Sequence, residues 1–403
     1  MSAPSLVRLL DPEVLADPYP LHRELRERAP VHWDPYLHSW VVTRYADVVE
    51  VLTTFSAVRT PTPAKLESLG MGQLAPIAEV MVRQMLFLDP PEHSRVRGLS
   101  HAAFTPRRIE HLRAHIQRIT DRLLEGLEGG RMEVMADLAN PLPAIVTAEM
   151  LGVPTEDHPM LKVWSESFAE MLGNFQHNPG RVPQVLANVA EMTAYFRAAV
   201  RREATHPTEG LVNALVTAEV DGDRLSEDDV VANVVVTMVG GQETTTNLIG
   251  NGLLTLLRHP EALARLRADP GLMPSAVEEL LRFESPSQHT ARLAPDDVVL
   301  GGCEISKGQA VIAVMAAANR DPERFPDPDR LDLSRTDNRH LAFGWAAHFC
   351  FGAPLARMEG AIALETVLRR MPELALSPGP VTWRPNLGLR GLTALPVTFG
   401  ELR

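Results

Sequence analysis

A lone thiol and an acid–alcohol pair are the residues in this chain best suited to chemistry. Cys350, one of only two cysteines, lies in the run Phe343-Gly344-Trp345-Ala346-Ala347-His348-Phe349-Cys350-Phe351-Gly352-Ala353-Pro354-Leu355-Ala356-Arg357. Apolar residues flank it and a helical pattern follows, so it could be presented as a thiolate to a large apolar ligand. Taken alone, a buried cysteine is only a small hydrophobe. The pair is Glu243-Thr244, inside Gly240-Gly241-Gln242-Glu243-Thr244-Thr245. Two glycines in a helix cost roughly 1 kcal/mol each relative to alanine, so something must offset them. Gly240 and Thr244 are four apart and share a face. The Thr244 hydroxyl can bond the Gly240 carbonyl and loosen the backbone ladder. Glycines can equally permit close helix crossing, and these residues alone leave both readings open.

Other constellations carry less. Glu279 and Arg282 share one face of a helix expected at Ser275–Phe283, where such pairs are usually exposed and contribute little. His93 and Arg97 are four apart in Asp89-Pro90-Pro91-Glu92-His93-Ser94-Arg95-Val96-Arg97. The acidic cluster Asp221, Asp223, Glu227, Asp228 and Asp229 lacks the spacing and terminal glutamate of a calcium loop. His348 with Cys350 supplies two ligands where zinc needs three or four. Cys303, after Gly301-Gly302, reads as a hairpin residue. No Cys-x-x-Cys-His and no phosphate-cradling glycine loop occurs, so a redox reaction here must draw electrons from elsewhere.

The elements that position these residues are mostly helical. Apolar residues recur at spacings of three and four in Arg108–Glu128, Gln184–Arg202, Ser226–Leu257 and Ala353–Arg370. The Ser226–Leu257 helix opens on a Ser226-x-x-Asp229 capping pattern and would run about 48 Å at 1.5 Å per residue. Strand-like pieces are short: Val31–Val42, Val298–Val314 and Val381–Phe399. A hydrophobic content of 45% among 403 residues is ample for a large core. The net charge of −12 argues against a nucleic-acid partner. The scarcity of cysteine fits a reducing compartment, and neither a signal peptide nor a membrane span is expected. The expectation is one domain, residues 1–403, monomeric and cytoplasmic.

Together the motifs resemble the cytochrome P-450 family, whose haem-thiolate loop reads Phe-Gly-x-Gly-x-His-x-Cys-x-Gly before a Leu-Ala-Arg helix start. Its oxygen-activation motif, Ala/Gly-Gly-x-Asp/Glu-Thr, matches at Gly240–Thr244. The resemblance runs from Asp17-Pro18-Tyr19-Pro20 to Arg390-Gly391-Leu392 and looks most like the soluble bacterial branch. It implies a mainly α fold with small peripheral β-sheets and haem b (iron protoporphyrin IX) between the long central helix and the cysteine-loop helix. The haem would be held without covalent attachment. Cys350 would be its axial thiolate; His93, Arg97, Arg292, His348, Phe343 and Gly240 would surround it. Thr244 would hydrogen-bond dioxygen and Glu243 would relay protons. Glu279, Arg282 and Arg335 would form a structural charge triad. Leu86, Val236, Val239, Gln288, His289, Thr290 and Leu389 would line the substrate pocket.

The implied activity is a monooxygenase inserting one atom of O2 into an apolar small molecule. Electrons would come from a ferredoxin and its reductase, with Arg357 and Arg95 as candidate docking contacts. The alternatives are a peroxide-driven peroxygenase, which often alters the acid–alcohol pair, and a non-catalytic helper of a biosynthetic partner, which often lacks the cysteine. One departure stands out: Ala346 occupies the second glycine position of the loop. Residue 346 is expected at negative φ, its methyl packed beside Trp345 or the haem.

Overall fold

The computed structural model describes residues 5–101, 106–174, 179–220 and 222–402. Asp221 of the acidic cluster lies outside them. The chain divides into two compact units. One comprises residues 1–55, 112–142 and 244–403; the other comprises residues 56–111 and 143–243.

The first unit holds nearly all the β-structure. Strands Val31–Asp34, Ser39–Val42, Ala310–Ala313 and Thr290–Leu293 form one sheet in that order. The first pair is an antiparallel hairpin with Val31 opposite Val42. Ser39–Val42 then runs parallel to Ala310–Ala313, with Val41 opposite Ile312. Parallel pairing buries both faces of a strand, and Val41, Val42, Val311 and Ala313 are fully buried. The Val298–Leu300 and Cys303–Ile305 strands form a hairpin whose turn residues, Gly301 and Gly302, have φ of 56° and 81°. Cys303 lies in this hairpin, as its sequence context suggests, and packs against the core. A smaller sheet joins Ala375–Leu376, Pro396–Thr398 and Arg131–Glu133.

The second unit is a helical assembly. The helix Val182–Thr205 packs against His158–Asn174, Leu211–Thr217 and Ala75–Met81. Its polar surface residues and its buried Val185, Val189, Met192 and Phe196 follow the three-and-four spacing of one apolar face.

Several helices fall where the apolar spacing puts them. The helix Ala353–Arg370 agrees at both ends, and the helices Pro106–Glu125, Val182–Thr205 and Met273–Phe283 agree to within a turn. The longest, Glu227–Arg258, has 32 residues. Its start is the expected reciprocal cap: Asp229 N donates to Ser226 Oγ at 3.2 Å, while Ser226 Oγ donates to the Asp229 carboxylate at 2.7 Å. Among the described residues no helix is long and apolar enough to cross a membrane.

Candidate active site

The long helix carries the acid–alcohol pair. From residue 230 to 256 every position is buried except Val236, Gly240, Gly241 and Thr244. Val236, Gly240 and Thr244 are spaced by four, so one stripe of an otherwise enclosed helix stays open. The two glycines divide the readings that the sequence left open. A Cβ on Gly241 would lie 2.9 Å from Thr147 Oγ1, so Gly241 permits a close helix crossing. A Cβ on Gly240 would meet nothing within 4 Å. Gly240 therefore borders space and Gly241 serves packing. Val239 is buried, and Leu86 is half-buried.

Glu243 is 1% exposed and accepts from Lys162 Nζ at 2.6 Å and from Ser165 Oγ at 3.4 Å. Both donors come from the helix His158–Asn174. A buried carboxylate needs such a partner, since an isolated buried charge is strongly disfavoured. Lys162 escaped the sequence reading; its one signal was a lone cation in an apolar helical run. His93 is buried on the helix Glu92–His101, one turn from the half-buried Arg97.

The cysteine loop belongs to the first unit. Cys350 N donates to Phe343 O at 2.8 Å, closing the loop, and the Cys350 side chain is half-exposed. Phe343, Trp345, His348 and Phe351 are half-buried around it, and Phe349 is 37% exposed. Gly344 adopts φ 72°, and Ala346 adopts φ 52°. The expectation of negative φ at residue 346 is thus overturned, and its side chain is exposed rather than packed. The loop keeps the left-handed turn that glycine would occupy without strain, and alanine tolerates it there at about 1 kcal/mol or more.

Beneath the loop, Arg357 forks onto Glu278, Nε to Oε1 at 2.6 Å and Nη2 to Oε2 at 2.9 Å. Its guanidinium also stacks 4.6 Å from the centre of the Phe343 ring. His340 Nε2 lies 3.2 Å from Glu278. Burial alone would raise the Glu278 carboxyl, but the bonds from His340 and Arg357 prevail and bring it from 4.5 down to about 2. Arg95 is likewise paired, with Glu92 at 2.9 Å and Asp223 at 3.1 Å. Neither docking candidate therefore carries uncompensated charge.

The structure brings Glu279, Arg282 and Arg335 together. Arg282 meets Glu279 through two bonds of 2.8 Å, and Arg335 Nε reaches Glu279 at 3.2 Å. Both Glu279 and Arg282 are fully buried. Arg282 also donates to the carbonyls of Asn319 and Pro328, and Asn338 donates to Glu279. Arg292 is buried on the strand Thr290–Leu293 and donates to Thr290 Oγ1 at 3.1 Å. His289, Thr290 and Leu389 are half-buried. Gln288 is buried, and its amide is engaged by the Ser285 carbonyl at 2.7 Å.

The residues present fit a haem. The thiol is a single donor, and no cluster of three or more His, Cys, Asp or Glu able to hold an ion occurs among the described residues. A porphyrin supplies four nitrogens itself and asks the protein for just such an axial sulfur. The partly exposed aromatics around Cys350 are a surface that a flat apolar group would cover.

Comparison with known proteins agrees. The family model for Cytochrome P-450 matches residues 37–270 and 271–379. The chain is 40% identical to the cytochrome P-450 monooxygenase PikC of Streptomyces venezuelae, covering 97% of this chain and 93% of that protein. It is 38% identical to the biotin biosynthesis cytochrome P-450 of Bacillus subtilis, covering 96% of this chain and 97% of that one. The solved structure of P450BioI with a fatty-acid-loaded acyl carrier protein superposes with a TM-score of 0.91 at 36% identity, over 96% of this chain and 99% of that one. Matched along almost its whole length by sequence and by fold, the chain belongs to the cytochrome P-450 family of monooxygenases.

Proposed function

We propose that this chain binds haem b non-covalently through the Cys350 thiolate and inserts one oxygen atom of O2 into an apolar small molecule, by hydroxylation or epoxidation. The observation that carries this reading is a half-exposed thiol inside a closed, aromatic loop that directly precedes the helix Ala353–Arg370. The loop rather than the exposure distinguishes it, since Cys303 is half-exposed as well. When bound, haem supplies the activation of O2, and the axial thiolate favours O–O cleavage.

The chain's own residues bind, orient and move protons. Arg292, His348, His93 and Arg97 supply the cations and donors that two propionates require. Phe343, fixed by Arg357 stacked on its face, holds the loop in shape around the sulfur. Thr244, on the open stripe of the long helix, offers a hydroxyl where dioxygen would lie. Glu243 is the nearest acid in sequence, and Lys162 Nζ anchors its carboxylate at 2.6 Å. By resemblance to the family, Val236, Leu86, His289, Thr290 and Leu389 would contribute the substrate contacts, with few polar groups among them, as small-molecule sites usually have.

Electrons would come from a ferredoxin and its reductase, because the sequence shows no nicotinamide or flavin motif of its own. The protein would act in the cytoplasm as a monomer with one catalytic domain. The test is the absorption spectrum of the reduced, carbon monoxide-bound protein. A thiolate-type Soret band in the wild type and its loss in Cys350→Ser support the reading; an unchanged band in Cys350→Ser overturns it.

A further inference from the structure

The open stripe of the long helix continues past Thr244 as a polar one. Asn247, Asn251 and Thr255 follow at spacings of three and four, so they lie on the same side as Val236, Gly240 and Thr244. All three are buried, at 0%, 1% and 4% exposure. Against them lies the segment 383–391: Arg384 Nη2 donates to Asn247 Oδ1 at 2.5 Å, and Asn251 Nδ2 donates to Arg390 O at 2.9 Å. Those two bonds fix which way each amide points. They leave Asn247 Nδ2, a donor, and Asn251 Oδ1, an acceptor, buried with no partner among the described residues. Trp383 Nε1, a second donor, is in the same state, and the Arg390 guanidinium lies 3.5 Å from that indole.

Buried polar groups are nearly always satisfied, by protein or by ordered water. Four residues of helix rise about 6 Å, the span that one water crosses with two hydrogen bonds. A donor at residue 247 and an acceptor at residue 251 are the two ends such a water needs. At the far end Thr255 borders a cavity of about 330 Å³ lined also by Tyr19, Arg258, His259, Glu284 and Arg390. Beside it sits His22, fully buried with neither ring nitrogen bonded. Burial first, then the nearby Arg390, pushes that imidazole down to about 3, so it is neutral and also calls for water.

We propose that a file of ordered water runs along Asn247, Asn251 and Thr255 from this cavity to the turn bearing Thr244, giving the reaction a route for solvent protons apart from Glu243. The step balances without a co-reactant: each proton handed inward at Asn247 is replaced by one taken from solvent at the cavity. Asn247, Asn251 and Thr255 are positioning residues, since they act by holding water. The route rests on the monooxygenase reading, whereas the hydration itself does not.

The experiment has a structural arm and a kinetic arm. High-resolution diffraction from the purified holoprotein should show a water bridging Asn247 Nδ2 and Asn251 Oδ1; a dry seam overturns the proposal. Thr255→Val removes one hydroxyl at nearly constant volume, and Asn251→Leu removes the central amide as a second probe. In a Glu243→Gln background, Thr255→Val should lower product formed per reductant consumed by a further factor on the order of ten, with the reduced, carbon monoxide-bound spectrum unchanged. Turnover equal to that of Glu243→Gln alone overturns the proton route even if the water is present. A wild type without the thiolate band would fail the monooxygenase reading instead, and the bridging water would still be decided by diffraction.

Discussion

Two neighbouring regions of the first unit invert the usual partition of residues. The network around Glu279 places full charges at zero exposure, whereas the cysteine loop leaves phenylalanine, tryptophan and a thiol half-uncovered. Charged residues are almost never fully buried unless paired, and uncovered apolar clusters mark binding surfaces. The first region is closed because every charge already has its partners within the chain: two arginines, Asn338 and the backbone N–H of Asp332 converge on one carboxylate. The second leaves its thiol and aromatic rings partly exposed, as suits the haem that membership of the family implies. The contrast separates residues that hold the fold from residues that the proposed function assigns to a ligand, a distinction that residue type alone would have drawn the wrong way round.

The sharpest way to break the contrast is to empty its closed side. Glu279→Ala strands Arg282 in a dry site, and removing one partner of a buried pair costs about 3–5 kcal/mol. Urea denaturation should show a loss of that size. A loss below about 1 kcal/mol would place the network among ordinary surface pairs.

Glu278, which joins the closed side to the loop, should show a smaller, pH-dependent effect. Its carboxyl is lowered in the folded protein from 4.5 to about 2. Its stabilisation is therefore complete above the ordinary carboxylate value and lost as pH falls through the folded one. The stability difference between the wild type and Glu278→Gln should shrink between pH 4.5 and 2. A difference that stays constant across that window would mean that His340 and Arg357 do not depress the group.

The smallest effect belongs to the open side. Ala346 at φ 52° carries strain, and Ala346→Gly relieves it while loosening the unfolded chain. Thermal unfolding should report a net gain of a few tenths to about 1 kcal/mol. A loss would show that the methyl contributes a contact.

Most of the helical frame could be read from the chain because apolar spacing and caps are local signals, as at Ser226–Asp229 and in the helix Ala353–Arg370. The sheet was only half legible. The strand character of Val31–Val42 is legible, but the pairing of Val41 with Ile312 joins residues too far apart in sequence for any local pattern to reveal. The site divides in the same way. Cys350, Glu243 and Thr244 stand in recognisable runs, while Lys162 and the Glu278–Arg357 fork arise only from tertiary packing. Ala346 shows the limit of reasoning from residue type: the loop's hydrogen bonds impose the left-handed turn, and alanine follows.

The buried charges have one more consequence, for the segment that follows them. Between Ala318 and Ala346 the chain has no helix and no strand. Stretches of that length without regular structure are ordinarily the first to be nicked by a protease or to exchange their amide hydrogens. Here Arg282 grips the carbonyls of Asn319 and Pro328, Glu279 holds the amide of Asp332, and Arg335 caps the carbonyl of Pro326. The coil is thus tied at several points to the fully buried Glu279 and Arg282 of the helix Met273–Phe283. It should exchange as slowly as the helix itself, and a trypsin site such as Arg330 should resist cutting until the whole unit opens.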